Sequence, residues 1–386
     1  MVYKITYGGW YQRTTLHLSE IYGFLSQGYS KLDLSKERLE VYLSSLKIKE
    51  VSRQIGYLEY VKAITKDGIE IRYYEDGLYI LECESEDVKS VQSKLQSYFD
   101  NFFNPAISYI FSLGAPTPKV LANIPSTHPT VVSAQVDDID KFKFDSKYGE
   151  VYNRISSEGI TVFKTPEYIF IISDSKNTPL KELIEMQIFF REFKDQLEKY
   201  LNIHRYIWEE IDKIKNKRFI KGKDVESIRI QLDSLEKTIN LISSRINQMD
   251  NYIGTRSSLS KNLNIQERLV SLFQYKFEIL TDTHAYIKDI WQMTKDYLNT
   301  AIGIIKEIEE KKVTSSIKSI QILASIGVVS GILGYLTSDN LPQITLTGLI
   351  YFLLLIIIVF PLEWIISHVF KNIKYKLNFP ERNKNL

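Results

Sequence analysis

The sequence predicts an α/β domain, then a stalk of long helices, then two C-terminal transmembrane helices. Three observations carry this: hairpin signals confined to residues 1–176, helical periodicity across 177–316, and two uncharged apolar runs within 317–370. A basic tail, 371–386, follows. Charged residues make up 25% of the chain and hydrophobic ones 44%, but the apolar residues pile up after Ile317 while the charges lie mostly before it.

The N-terminal MVYKITYGGW reads as a strand, without the basic start, apolar stretch and cleavage site of a signal peptide, so this part is expected to be cytoplasmic. In ITKDGIEIRYYEDGLYILECES, Asp67-Gly68 and Asp76-Gly77 each stand between alternating or β-branched residues. Asp-Gly supplies the positive φ of tight hairpin turns, which predicts a three-stranded meander from Tyr57 to Cys83. A helix is expected over EDVKSVQSKLQSYFDNFF, and the four prolines of APTPKVLANIPSTHPT predict a loop or edge region. Asp137-Asp138-Ile139-Asp140 reads as a helix start, with a divalent-cation site as the alternative, and Gly159 to Ser173 reads as a second hairpin punctuated by Pro166.

Pro179 opens a helix over Leu180–Lys217, with Asn177 or Thr178 able to cap it. A second helix is expected over Lys223–Tyr252, and a third beginning near Asn264 meets no proline until Pro342. Along the third, Leu280, His284, Ile287, Trp291, Thr294, Leu298, Ala301, Ile305 and Ile308 advance by steps of three and four. This heptad seam requires cover from the two preceding helices or from neighbouring subunits. His284 within it reads as a hydrogen-bonded packing residue, because no second histidine stands one turn away to help it chelate.

Ser319 to Leu336 and Ile344 to Leu362 carry no charge and predict two membrane spans, the first at the short limit. Lys306, Lys311, Lys312 and Lys318 precede them and Lys371, Lys374, Lys376, Arg382 and Lys384 follow, while the connecting loop has no Lys or Arg. The positive-inside rule then predicts a multi-pass protein of the cell membrane with both termini cytoplasmic. Gly327 and Gly331 form a GxxxG, the spacing that lets helices approach closely in lipid.

The net charge of +2 implies no large basic face, so nucleic acid is not an expected partner. The single cysteine, Cys83, excludes an intramolecular disulfide, and no CxxC suggests a thiolate metal site. The five histidines are scattered and no GxSxG or P-loop occurs, which argues against a hydrolase or kinase.

A soluble α/β domain, a very long helix entering the first of two C-terminal spans, a short outer loop and a basic tail together resemble the CorA family of divalent-cation channels and transporters. Ser330-Gly331-Ile332-Leu333-Gly334 is similar to the run before that family's Gly-Met-Asn motif, and Leu341-Pro342-Gln343 to its loop proline. The motif itself would fall on Gly334-Tyr335-Leu336, which keeps only the glycine. The resemblance implies a homo-oligomer, a pentamer in that family, that passes Mg²⁺ or another divalent cation along an axis lined by the first span, with no organic cofactor. Its ion pathway would run past Ser330, Gly334, Thr337, Asp339 and Asn340, oxygen-bearing groups at the mouth standing in for the missing asparagine. Asp282, Asp289 and Asp296 recur every seven residues and would be candidates for cytoplasmic divalent sensing, although interleaved Lys288 and Lys295 also fit a solvated stripe. The alternative is a membrane-anchored scaffold or sensor that transports nothing and whose α/β domain binds a partner.

Overall fold

In the computed structural model, residues 1–11, 17–113, 129–174, 179–217, 219–336, 350, 365, 368, 369 and 371–377 are described. They divide into two compact units, Met1–Ile203 with Leu241–Ile290, and His204–Asn240 with Trp291–Leu386.

The first unit is built on a nine-stranded sheet in the order β2-β3-β4-β5-β1-β6-β9-β8-β7. The strands are β1 Tyr3–Trp10, β2 Ile48–Gln54, β3 Tyr60–Thr65, β4 Glu70–Tyr74, β5 Leu78–Ser85, β6 Thr130–Gln135, β7 Asn153–Ser157, β8 Ile160–Lys164 and β9 Tyr168–Ser173. All pairings are antiparallel except β6 with β9. The expected meander is present as β3, β4 and β5, with Gly68 and Gly77 at φ 77° and 88° in its two turns. The second hairpin is β8–β9. Residues 137–140 form a turn instead of the expected helix start, because the Asp138 carboxylate accepts the Asp140 backbone N–H at 2.9 Å.

Each face of the sheet is covered by helices. On one lie α1 Leu18–Gln27, α2 Lys36–Leu46, α3 Val88–Tyr98 and α4 Asn104–Ile110, the last two joined by a π turn over Phe99–Phe103. Ser35 and Asp87 cap α2 and α3 through their side chains. Ile21, Phe24, Leu46, Leu95 and Ile107 bury against Ile5, Ile71, Leu81, Val132 and Phe170. Alternation along the strands, with a period of two, sends their neighbours to the opposite face. There α5 Leu180–Lys215, as far as Ile203, approaches so closely that a Cβ on Gly8 would stand 3.1 Å from Ile188 Cδ1. Trp10 stacks on Phe193 at 5.4 Å and meets Phe189 and Tyr252 edge-on, Tyr252 lying on α6 Val225–Asn262.

The expected third helix is broken. Helix α7 Gln266–Phe273 ends at Gln274, whose left-handed φ of 61° turns its N–H to the Leu269 and Val270 carbonyls. The chain then re-enters as α8 Phe277–Leu336. Every seam residue from Leu280 to Ile308 is buried. In the first unit His284 Nε2 lies 2.6 Å from the Ile246 carbonyl oxygen of α6, the hydrogen-bonded packing role expected of it. In the second unit Trp208 stacks on Tyr297 at 4.9 Å, Arg229 pairs with Glu309 at 2.9 Å, and the short strands β10 Phe219–Lys221 and β11 Lys374–Lys376 pair antiparallel. Helices of the same chain therefore cover the seam.

Among the described residues no helix is long and apolar enough to cross a membrane. This overturns the two transmembrane helices and the multi-pass cell-membrane placement with cytoplasmic termini, on which the ion-transport reading rests. The uncharged end of α8 after Lys318 has only 18 residues. It is about 27 Å long at 1.5 Å per residue, short of the ~30 Å hydrocarbon core. Gln321 and several serines and glycines also interrupt it. The second expected span, 344–362, lies outside the described residues apart from Ile350.

Candidate functional site

The sheet face under α5 and α6 is unusually polar. Strand register places Thr6 opposite Glu82 and Glu82 opposite Glu70, with Arg72 and Tyr74 on the same face. Arg72 is buried and reaches three carboxylates: Glu70 at 2.6 Å, Glu82 at 3.0 Å, and Glu185 of α5, 3.2 Å from Nε. Lys4 pairs with Glu82 and Lys62 with Glu70 from the margin. Tyr74 donates its hydroxyl to Glu185 at 2.5 Å. Burial pushes the Glu185 carboxyl up, against the pull of Arg72.

One turn along, Arg256 of α6 is fully buried and binds Asp76 with two hydrogen bonds, Nε to Oδ2 at 2.6 Å and Nη2 to Oδ1 at 3.0 Å. Its guanidinium lies over the Tyr74 and Phe189 rings, 5.1 and 5.3 Å from their centroids. Asp76 also accepts the Leu78 N–H, and its carbonyl accepts the Trp10 indole N–H at 2.6 Å. The β4–β5 turn is thus tied to α6 by a bidentate pair and to β1 by the indole.

Above this turn opens a cleft of about 470 Å³. It is lined by the acids Glu59, Glu75 and Asp76, by Arg53 and His17, and by Asn251, Tyr252 and Thr255 of α6. A second recess shares Asn251 and Thr255 and extends past Tyr57. Charges in the first cleft are mostly spent internally. Arg256 holds Asp76, and Arg53 holds Glu59 through Nε at 3.1 Å and through Nη2. Glu75 is different. It is exposed, has no ion-pair partner among the described residues, and its carboxyl is raised above the ordinary range, first by partial burial and then by neighbouring Glu59. Tyr252 remains a neutral phenol, pushed up to about 12 by burial and by Asp76.

The residues expected from sequence to form a site are not brought together here. Asp282, Asp289 and Asp296 are exposed on α8, each about 10 Å from the next along the helix, too far apart to share one ion. Among the described residues no group of three or more His, Cys, Asp or Glu is placed to hold a metal ion. Ser330 and Gly334 belong to α8, while Thr337, Asp339 and Asn340 lie outside the described residues. A Cβ on Gly327 or Gly331 would meet no described atom within 4 Å. The cleft residues, conversely, were not singled out from sequence beyond the Asp76-Gly77 turn. Arg256 left a signal, since it continues the three-and-four spacing of Ile242, Ile246, Met249 and Ile253, where a charge is out of place.

Comparison with protein-family models, with curated proteins and with solved structures finds no match. The resemblance to the CorA family therefore rests on the sequence layout alone, and the pair of spans in that layout is not shown.

Proposed function

We propose that this chain is a recognition protein without catalytic activity, a scaffold or sensor whose α/β unit receives a cationic group in the cleft beside Glu75. The ligand class is a primary amine or guanidinium, either free or as the side chain of a partner. The observation that carries this reading is a carboxylate with no ion-pair partner among the described residues, in a cleft whose other acids are already paired. A bound cation would relieve the Glu59–Glu75 repulsion, while the Asn251 amide and Thr255 hydroxyl are of the right types to orient its N–H groups. The Tyr252 ring lines the same cleft and can offer its face to the charge.

Ligand-observed NMR against matched pairs, each amine beside its acetamide and each guanidinium beside its urea, tests this class. Cationic members should bind and neutral ones should not; equal binding of both would refute it. The sign of the pH dependence follows from Glu75. A raised carboxyl must lose its proton before it attracts a cation, so affinity should rise with pH through a midpoint above the ordinary carboxylate range. In Glu75→Gln that rise should vanish, as read from titrations at several pH values.

A further inference from the structure

We propose that the exposed face at the start of α8 docks a basic amphipathic helix of a protein partner. At about 100° per residue, Glu278, Asp282 and Asp289 fall within one narrow stripe, and Ile279 and Tyr286 lie directly beside it. This stripe is roughly opposite the buried seam of Leu280, His284 and Ile287. Ile279 and Tyr286 are 58% and 59% exposed, large apolar side chains two turns apart that the described residues leave mostly uncovered. The face begins at a cleft of about 310 Å³ between α7 and α8, where Leu269, Val270 and Phe277 supply apolar walls and Glu267 and Glu278 an acidic rim.

Charge complementarity selects the occupant. Glu267, Glu278, Asp282 and Asp289 have no ion-pair partner among the described residues, and the one cation of the cleft rim is Lys276. Lys288, the only Lys or Arg of α8 before Asp289, projects away from the stripe. A second copy of the chain would set the same acids against one another, which costs free energy. A helix with apolar residues at i, i+3 or i+4 and i+7, flanked by Lys or Arg, instead covers Ile279 and Tyr286 and neutralises the acids. This surface lies outside the Glu75 cleft, and neither reading depends on the other.

The test is fluorescence anisotropy of the full chain with a labelled helical peptide carrying Leu on one face and Lys and Arg on the other. Binding should saturate, weaken with salt, and fall about tenfold or more for a scrambled peptide of the same composition. Tyr286→Glu, and separately Asp282→Lys with Asp289→Lys, should each weaken it by a similar factor; all three positions are exposed, and an unchanged melting curve confirms the fold. Equal binding of the scrambled peptide, or binding indifferent to both variants, would overturn the proposal. So would sedimentation showing a wild-type oligomer that Tyr286→Glu dissociates, because the face would then belong to a second copy.

Discussion

Arg256→Ala is expected to lower the unfolding free energy by about 3–5 kcal/mol, the usual consequence of leaving one member of a buried ion pair without its partner. Asp76 is the orphaned group. Its carboxylate is almost fully buried, and without the guanidinium it keeps only the Leu78 N–H among its described hydrogen bonds. The loss is compounded because Arg256 also fills the space between the Tyr74 and Phe189 rings. Urea denaturation should show the midpoint falling with an unchanged slope. The double variant Arg256→Met with Asp76→Asn should recover a large part of the stability, since it removes both charges while keeping an acceptor for Leu78. A single-variant loss below about 1 kcal/mol would mean that the pair is not buried as described.

Gly77→Ala should be comparably damaging, by roughly 2–5 kcal/mol, for two separable reasons. Gly77 sits at φ 88°, where an L side chain is strained, and its Cβ would stand 2.2 Å from the Tyr11 carbonyl oxygen, a backbone atom that cannot swing away. That oxygen belongs to the residue whose N–H donates to the Gly77 carbonyl at 2.9 Å, so the new methyl group would push β1 off the turn. Gly68 provides the control. It has a similar φ of 77° but open space around it, so Gly68→Ala should cost only about 1–2 kcal/mol. The difference between the two midpoints measures the clash alone. Equal losses would show that the turn has room to relax.

Both residues fix the turn that carries Asp76 into the Glu75 cleft, and they differ in how far the sequence discloses them. Asp76-Gly77 was legible because turn chemistry is local: a positive φ needs glycine, and the flanking alternation names the strands. The buried seam of α8 was legible for a similar reason, since a three-and-four repeat is a one-dimensional pattern. The Arg256–Asp76 pair joins residues 180 positions apart, and no local rule couples them. Arg72 and Glu185 were hidden in the same way, one reading as a polar strand residue and the other as an ordinary helical acid. The break at Gln274 is not legible in the sequence because a left-handed residue other than glycine or asparagine leaves little trace in composition. The membrane reading failed for a different reason. The uncharged end of α8 is short for a span and is interrupted by polar and small residues.

Isothermal titration of the intact chain with a guanidinium compound and its neutral urea counterpart, on wild type and on Glu75→Gln, tests the central claim most directly. Glu75 is exposed, so its amide should leave folding untouched and change only the charge offered to the ligand. The cation should bind wild type and lose about tenfold or more in affinity to Glu75→Gln, as expected for removing one charge-assisted contact, while the urea binds neither. Equal affinity of the cation for both proteins, or binding of the urea as tight as that of the cation, would contradict it.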